Sequence, residues 1–379
     1  MAKWPMVRLG DVCTINMGQS PSSESYNDEN DGIPFYQGNA DFGEIHPKAR
    51  LYCNKPIKIA NKNDVLLSVR APIGALNIAN EKCCIGRGLC AITEKENISY
   101  YKYIYYVLKR KTTELIAKGT GSTFKAINKS SLLSVQIPLP PINIQKYIAD
   151  ILDKTQEIID SYKKQLAELD NLIRAVFYEM FGDPLANDKG WTTVLLKEVL
   201  ANIRYGTSTP PNFSETGYKF IRATNIKKGR IVEEDMKFIS KEESLKLKKC
   251  KIYENEMIIV RSGVNSGDTC VISNEYSGHY AGYDLILTFD QNKVDPVFVN
   301  ELFNTNYMEI VIKPLTRRAA QPHLNSEQVQ SLRIILPPLD LQTKFATIVT
   351  KIEEQKVLVK RAITDSEQLF NSLMSEYFD

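Results

Sequence analysis

The residue types that enzymes use for catalysis are present in this sequence, but their spacing does not suit them for it. The three histidines, His46, His279 and His323, lie in separate regions, and none is accompanied by a Ser/His/Asp arrangement. The run from Gly119 to Phe124 lacks the third glycine of a dinucleotide-binding loop, and no GxxxxGKS or GxxxxGKT loop occurs. The Pro-Pro pairs lack the flanking residues of an amino-methyltransferase motif. We therefore expect a chain that catalyses no reaction itself.

The seven cysteines are odd in number and include no Cys-x-x-Cys pair. In a chain of 379 residues this pattern favours reduced, partly buried thiols in the cytosol over a disulfide framework. Cys83, Cys84 and Cys90 are close in sequence, but their spacing fits no common metal site. We expect neither a metal nor a cofactor on this chain.

Two polar segments contain residue types suited to contact with nucleic acid. They are residues 118–128 (KGTGSTFKAIN) and 316–325 (TRRAAQPHLN). Glycine lets a backbone approach a phosphate closely, and Arg and Gln form paired hydrogen bonds with guanine and adenine edges. The alternative is a mobile polar loop without function. The corresponding placement of both segments, each before the last strand of its half of the chain, argues against that alternative.

The candidates for base or phosphate contact share polar side chains that can form such bonds. In the first half of the chain they are Gln19, Gln37, Asn39, Arg70, Arg87, Thr120, Ser122 and Lys125. In the second half they are Arg222, Thr224, Asn225, Arg261, Asn265, Arg317, Arg318 and Gln321. Arg70 and Arg261 are the strongest candidates, because each ends an apolar strand at an equivalent position. For both, the alternative is a structural ion pair with a neighbouring strand.

The chain contains one internal repeat of long period. The motif LPPINIQ at residues 139–145 recurs as LPPLDLQ at residues 336–342. Trp4 and the following Leu-x-x-Val recur from Trp191 onward, and Val-Arg at residues 69–70 recurs at residues 260–261. The offset between copies drifts, so the copies share a frame but differ by loop insertions. The repeat predicts two copies of a lobe followed by a long helix.

Within each copy the pattern changes at the Pro-Pro pair. Before it, short β-branched and aromatic runs predict strands, among them residues 64–69, 90–93, 257–260 and 284–289. Helical stretches at about 100–117 and 296–312 complete each mixed lobe. After the Pro-Pro pair the pattern is helical and long. The chain is therefore predicted to be of the α+β class.

The two long helices carry apolar residues that alternate at steps of four and three. This strict repeat predicts a coiled-coil seam rather than an ordinary surface stripe. The seam residues are Ile148, Leu152, Ile159, Leu166, Leu169, Ile173, Phe345, Val349, Ile352, Val359, Ile363 and Phe370. At roughly 38 residues each, the helices would be roughly 57 Å long. We expect them to pair as antiparallel neighbours, with the lobes related by a pseudo-twofold axis. The alternative is that each helix packs only on its own lobe.

The net charge of +3 is divided unevenly along the chain. Residues 1–141 carry +6 (18 basic, 12 acidic) and residues 184–338 carry +2 (20 basic, 18 acidic). Residues 142–183 carry −3 (5 basic, 8 acidic) and residues 339–379 carry −2 (5 basic, 7 acidic). Basic lobes with acidic helices suit a protein whose lobes meet phosphate and whose helices meet protein. Chance scatter of surface charge is the alternative. No apolar signal core or membrane-spanning run is present, so we expect a cytoplasmic protein.

The repeated motifs resemble those of the specificity subunit of type I restriction–modification systems. Leu-Pro-Pro-x-x-x-Gln precedes a long helix twice, each time after a lobe opening Trp-…-Leu-(Gly/Lys)-(Asp/Glu)-Val, and the resemblance covers essentially the whole chain. It implies target recognition domains at 1–137 and 184–335, each reading one half of a split, asymmetric DNA site. It further implies conserved spacer helices within 138–183 and 336–379 that form an antiparallel coiled coil and set the distance between half-sites.

The same resemblance implies the partners of the chain. Double-stranded DNA would bind the two lobes, two methyltransferase subunits would dock on the helices, and translocating nuclease subunits would join the assembly. S-adenosylmethionine would belong to the methyltransferase subunits. The resemblance implies no contact with a membrane.

The two copies also depart from each other. The loop at residues 119–125 is replaced by Arg317-Arg318-Ala-Ala-Gln321, so the resemblance implies half-sites of different sequence. Lys356 and Ser366 are polar seam positions that weaken the packing of the second helix and are expected to fix its register. Two other functions stay open at this point. One is a coiled-coil scaffold that binds protein rather than DNA, and the other is a restriction or modification enzyme with unrecognised motifs.

Overall fold

The computed structural model of the chain describes residues 4–119, 125–316 and 323–379. Contacts between Cα atoms divide it into two compact units. Unit 1 comprises Met1–Lys163 together with Arg361–Asp379, and unit 2 comprises Lys164–Lys360. Each unit thus combines one lobe with parts of both long helices. The predicted boundaries between lobes and helices remain predictions.

The lobe of unit 1 is built on two sheets and one strand pair. Its strands are β1 (Met6–Arg8), β2 (Cys13–Met17), β3 (Tyr26–Asn27), β4 (Ile33–Tyr36), β5 (Leu51–Cys53), β6 (Ile59–Ala60), β7 (Val65–Ser68), β8 (Leu76–Ile78), β9 (Cys83–Ile85), β10 (Leu89–Glu94) and β11 (Gln136–Pro138). An antiparallel sheet has the order β2-β10-β7-β8, and a mixed sheet has the order β3-β5-β4-β9-β6. β1 pairs with β11.

The strands predicted at residues 64–69 and 90–93 are confirmed as β7 and β10. Both are buried on both faces, which explains their continuous apolar sequence. Val65 and Leu67 belong to the core formed with the lobe helix. Leu66 points the other way, into a cluster with Tyr36 and Ile85 of the mixed sheet.

The helix predicted at about 100–117 is two helices in unit 1. The helices of this lobe are α1 (Leu9–Val12), α2 (Tyr101–Arg110), α3 (Thr112–Ala117) and α4 (Lys129–Leu133). The break falls at Lys111, whose φ/ψ of −87°/10° is not helical. The Thr112 hydroxyl donates to the carbonyl of Lys109 at 2.9 Å, an alternative to helical backbone bonding that threonine offers readily. The prediction of one continuous helix was therefore wrong at this point.

The lobe of unit 2 repeats the sheet order of unit 1. Its strands are β12 (Thr192–Leu195), β13 (Leu200–Tyr205), β14 (Phe213–Ser214), β15 (Tyr218–Ile221), β16 (Ile226–Lys227), β17 (Arg230–Ile231), β18 (Lys237–Ile239), β19 (Met257–Ile259), β20 (Thr269–Val271), β21 (Tyr280–Ala281), β22 (Leu285–Phe289) and β23 (Arg333–Leu336). The order β13-β22-β19-β20 matches β2-β10-β7-β8, and β12 pairs with β23 as β1 does with β11. The strands predicted at 257–260 and 284–289 are confirmed as β19 and β22.

The second predicted lobe helix is also interrupted. The long helices aside, the helices of unit 2 are α6 (Lys241–Lys246), α7 (Pro296–Phe303), α8 (Lys313–Thr316) and α9 (Ser326–Gln330), with a π-helical turn at Met308–Ile312. The Asn304 amide donates to the Asn300 carbonyl at 2.7 Å, and the Thr305 hydroxyl donates to the Leu302 carbonyl at 2.7 Å. These side chains compete with backbone bonds where α7 ends, which the period of the apolar residues alone did not reveal.

The long helices are α5 (Ile142–Phe181) and α10 (Leu339–Phe378), as predicted, and they pack together within each unit. In unit 2, Asp170 pairs with Lys356 at 2.5 Å, whereas Phe177, further along α5, contacts Phe345, earlier in α10. The two helix segments are therefore antiparallel in this unit. α5 ends at Gly182, whose φ of +74° is the left-handed conformation that favours glycine after a helix.

The apolar stripe of these helices serves two contacts. In unit 1 the stripe residues Ile148, Leu152 and Ile159 share one core with Phe370 of α10, and this core also includes residues of the lobe. The Phe370 ring lies 6.1 Å from that of Tyr106 in α2. The alternative that each helix packs only on its own lobe is therefore wrong, because the same stripe faces the other helix and a lobe.

The glutamine of each Leu-Pro-Pro-x-x-x-Gln motif ties a long helix to its lobe. Gln145 is fully buried, accepts a hydrogen bond from the Tyr100 N–H at 2.9 Å and donates to the carbonyls of Ile98 and Pro140. Gln342 is likewise buried, accepts from the Asp295 N–H at 2.9 Å and donates to Pro337 at 2.7 Å. The motif therefore fixes the start of each long helix against the start of the lobe helix.

Candidate nucleic-acid interface

Three loops that follow neighbouring strands of unit 1 meet at one end of its sheets. The Gly18 N–H donates to the Leu89 carbonyl at 2.9 Å, and the Gln19 N–H donates to the Ile85 carbonyl at 3.0 Å. The Gly88 N–H donates to the Gln37 carbonyl at 3.2 Å. These bonds bring together the ends of β2 and β4 and the turn between β9 and β10. We call the exposed surface formed by these ends and the end of β7 the strand-end face of unit 1.

The loops approach so closely that only glycine fits at their contact. A Cβ atom on Gly18 would lie 2.1 Å from the carbonyl oxygen of Gly86. In unit 2 the corresponding pair is Gly206 and Gly282, where the same distance would be 1.6 Å. In both units, two glycines therefore approach each other closely at this end of the sheet, and the shared contact agrees with the internal repeat.

Most predicted contact residues of unit 1 lie on this strand-end face. Gln19, Gln37, Arg70 and Arg87 are exposed there, and Asn39 is half-buried in the turn after β4. Arg70 forms a β-bridge with Ala126, which places the exposed Lys125 beside it. Among the described residues, neither Arg70 nor Arg87 makes a side-chain ion pair or hydrogen bond, so their guanidinium groups face solvent.

The predicted contact residues of unit 2 divide into two groups. Thr224 is exposed, whereas Asn225 is fully buried and its amide donates to the carbonyls of Val232 and Glu234. Arg222 pairs with Asp235 at 3.0 Å.

Asn265 also uses its side chain within the fold, donating to the carbonyls of Ala223 and Ile226 at 3.1 Å. Asn225, Asn265 and Arg222 therefore support the loops of unit 2. Thr120, Ser122, Arg317, Arg318 and Gln321 lie outside the described residues.

Arg261 is held differently from Arg70, its counterpart in unit 1. Its guanidinium carbon lies 4.5 Å from the ring centres of both Tyr205 and Tyr283. Its Nε donates to the Leu324 carbonyl at 3.1 Å, and its backbone N–H donates to the Asp284 carboxylate at 3.0 Å. The two tyrosines were missed by the sequence analysis, although each adjoins one of the glycines that close this sheet end.

Burial raises the pKa of several ionisable groups in the interior of the protein. Burial raises the pKa of the Cys13, Cys83 and Cys90 thiols to about 12, so these thiols stay protonated at neutral pH. Burial raises the pKa of Asp284 to about 6, against the hydrogen bond from Arg261, which lowers it. In residues 4–119, 125–316 and 323–379, no group of three or more His, Cys, Asp or Glu is placed to hold a metal. Nor is any helix in these ranges long and apolar enough to cross a membrane.

A duplicated lobe with a polar strand-end face, followed each time by a long helix, defines a two-lobed recognition protein. The profile of the Methylase_S family, described as "Type I restriction modification DNA specificity domain", matches residues 1–171 and 188–366. The chain belongs to this family. Its resemblance to the specificity subunit of type I restriction–modification systems is thereby confirmed.

Individual relatives agree with the family. The chain is 44% identical to the type I restriction enzyme MjaX specificity subunit of Methanocaldococcus jannaschii, over 44% of this chain and 40% of that protein. It is 25% identical to the MjaIX specificity subunit of the same organism, over 98% of this chain and 91% of that protein. The crystal structure of a type I restriction–modification S subunit from M. genitalium is 15% identical and has a TM-score of 0.66, covering 100% of this chain and 96% of that one. This last likeness establishes the fold.

Proposed function

We propose that this chain reads a bipartite, asymmetric site in double-stranded DNA, with one lobe for each half-site. The observation that carries the proposal is the duplicated sheet order, β2-β10-β7-β8 and β13-β22-β19-β20, with a strand-end face closed by a glycine pair in each lobe. A protein with two equivalent faces is suited to two DNA segments. The net charges of +6 and +2 on the lobes favour contact with phosphate.

The two half-sites differ in sequence under this proposal. The strand-end face of unit 1 offers free Gln and Arg side chains, whereas in unit 2 the guanidinium of Arg261 lies 4.5 Å from the centres of two tyrosine rings. Different side chains at equivalent positions present different hydrogen-bonding groups to base edges. An asymmetric site follows from this difference.

The long helices serve as the spacer and as the platform for partner subunits in this proposal. Two methyltransferase subunits dock on them and carry S-adenosylmethionine, and nuclease/translocase subunits complete the assembly in the cytoplasm. α10 exposes Val357 and Leu358 at 64% and 59%, apolar side chains that suit burial against another protein. The chain itself is non-catalytic, and DNA methylation and ATP-dependent cleavage belong to its partners.

Sequencing of methylated DNA tests this proposal. Cells that carry the chain with its methyltransferase subunit should methylate a split site with two unlike halves. Arg70→Ala should weaken selection of one half-site by about 1–3 kcal/mol, because a bidentate base contact is worth that much discrimination. Arg8→Ala is the matched control, since Arg8 pairs with Asp11 before β2 begins, at the end of the strand away from Gln19.

Three results would contradict the proposal. Methylation without sequence preference would exclude DNA recognition by the lobes. Cleavage or methylation of DNA by the purified chain alone would identify an enzyme. Binding to duplex DNA that is independent of salt, measured with the methyltransferase present, would favour a protein scaffold, because phosphate contacts release counterions.

A further inference from the structure

Arg261 is a half-buried cation at the end of β19, on the sheet end of unit 2 that Gly206 and Gly282 close. Its guanidinium carbon lies 4.5 Å from the ring centres of both Tyr205 and Tyr283, and the Leu324 carbonyl accepts from Nε. Tyr205 is itself fixed, because its hydroxyl accepts a hydrogen bond from the Ser326 N–H at 3.0 Å. The edge of the guanidinium that carries its two terminal nitrogens remains available for a ligand, since no described residue accepts a hydrogen bond from these nitrogens.

This arrangement prepares the arginine for one kind of ligand. A guanidinium donates hydrogen bonds in its own plane, and because Nε is already bonded to Leu324, the outer edge with the two terminal nitrogens remains for a ligand. Two parallel N–H groups in that plane match two neighbouring acceptors, which guanine offers in the major groove through O6 and N7. The side chain is ordered before DNA arrives, so binding costs less conformational entropy than for a free arginine.

Arg70, which matches Arg261 in the sequence repeat, lacks this support in unit 1, and Val69 takes the structural place of Arg261, because the Ile127 N–H donates to the Val69 carbonyl as the Leu324 N–H donates to the Arg261 carbonyl. The registers β2 to β10 and β13 to β22 place Met17 where unit 2 has Tyr205. The turn that contains Tyr283 in unit 2 contains Arg87 and Gly88 in unit 1. Unit 1 therefore holds Arg70 without an aromatic pair. The clamp of Tyr205 and Tyr283 is a feature of the second lobe alone among the described residues.

Resting on the proposed function, we propose that Arg261 reads a guanine in the half-site of the second lobe, and that Tyr205 and Tyr283 are its positioning residues. A phosphate also offers two acceptors to an arginine. The strand-end position beside two rings favours the base, because a phosphate contact needs no fixed plane. The two ligands predict different results, because a base contact acts at one position of the site and a phosphate contact weakens all sequences alike.

Methylated-DNA sequencing of the complete complex, with variants at these positions, tests the inference. Arg261→Ala should reduce the preference for guanine at one position of one half-site roughly 10- to 100-fold, with other positions unchanged. Arg261→Lys keeps the charge and should fold, yet should lose the same preference, since an ammonium lacks the planar fork. Lys293→Ala is the control, because Lys293 lies near Glu198 at the far end of β13.

The tyrosines need a conservative comparison. Tyr283→Ala should reduce the preference at the same position as Arg261→Ala, whereas Tyr283→Phe keeps the ring and should retain it. A structural role of the ring would instead lower methylation at every sequence without changing base preference.

Each remaining outcome contradicts either the inference about Arg261 or the proposed function. A uniform loss in Arg261→Lys and Arg261→Ala indicates a phosphate contact and overturns the inference. Unchanged preference, or a base other than guanine at the affected position, overturns it as well. If the unaltered complex shows no base preference at any position, the proposed function fails, and this outcome differs from all the others.

Discussion

At the residue scale, equivalent positions in the two lobes have different neighbours. Arg70 and Arg261 both end an apolar strand, as the repeat predicted, yet Arg70 is exposed and Arg261 lies 4.5 Å from the centres of two tyrosine rings. The repeat identified the position because strand ends are set by the apolar pattern. It did not identify the environment, because Tyr205 and Tyr283 come from loops whose approach depends on tertiary packing.

Gln342 provides a first prediction at this scale. Gln342→Ala should lower the free energy of unfolding by about 1–3 kcal/mol, because it removes a fully buried side chain that bonds to the N–H of the half-buried Asp295 and to the Pro337 carbonyl. Urea denaturation of the purified chain measures this. Gln355→Ala, on an exposed position of the same helix, is the matched control and should change stability by less than about 0.5 kcal/mol. Equal effects of the two substitutions would contradict a structural role for the motif glutamine.

Asp284 gives a prediction about pH. Its pKa is raised by burial to about 6, so the folded state holds this proton more tightly than the unfolded state does. Stability from this group is therefore fully present below about pH 4 and is lost as pH rises to about 6, a change of about 2–3 kcal/mol. Asp284→Asn, which cannot titrate, should remove this part of the slope when unfolding is measured at pH 4 and pH 7. Identical slopes for both chains would refute the assignment.

At the element scale, the long helices pack through clusters of large side chains. In unit 2, Phe177 and Phe181 of α5 meet Phe345 of α10, and both also contact Phe298 of α7. A single apolar stripe thus joins both helices to the lobe. Lys356 of α10 is only 4% exposed. It pairs with Asp170 of α5 and with Glu353 of its own helix. An alternative register would separate this buried cation from Asp170, its partner on the other helix, which fits the expectation that Lys356 specifies alignment.

Removal of one ring tests this cluster. Phe345→Ala should destabilise the protein by about 3–5 kcal/mol, because loss of this fully buried aromatic side chain leaves a cavity beside the rings of Phe177 and Phe181. Leu358→Ala removes a 59%-exposed side chain from the same helix and should cost less than about 1 kcal/mol. Thermal unfolding of both variants makes the comparison. A cost for Phe345→Ala no larger than that of the control would show that the cluster contributes little.

The sequence predicted the long helices more accurately than the lobe helices and the short strands, for physical reasons. The long helices lie within the predicted ranges 138–183 and 336–379, because their apolar period is regular and a Pro-Pro pair precedes each of them. The lobe helices were predicted as continuous, but Thr112 and Thr305 bond to backbone carbonyls and interrupt them. Local hydrogen bonds of this kind do not alter the hydrophobic period from which the helices were predicted. The small strands β3, β6, β14 and β16 are too short to carry a period of their own.

At the scale of the whole molecule, the proposed function makes the helices a spacer. Inserting seven residues at matched places in both α5 and α10 keeps the seam in register and lengthens each helix by roughly 10 Å. The preferred gap between half-sites should grow by about three base pairs, at about 3.4 Å each. Methylated-DNA sequencing reads the gap directly. Insertion of seven exposed residues in the loop at 183–190 is the control and should leave the gap unaltered, and an unaltered gap in the helix variant would end the spacer hypothesis.

Unit 1 is assembled from both ends of the chain, and this has a consequence for its synthesis. Arg361–Asp379 belong to the unit that also contains the first lobe, where Phe370, Met374 and Phe378 complete the core. Chains leave the ribosome from their N-terminus, and domains generally fold as they emerge. The first lobe is therefore translated well before Arg361–Asp379, which complete its core, whereas all residues of unit 2 have been translated once Lys360 is reached.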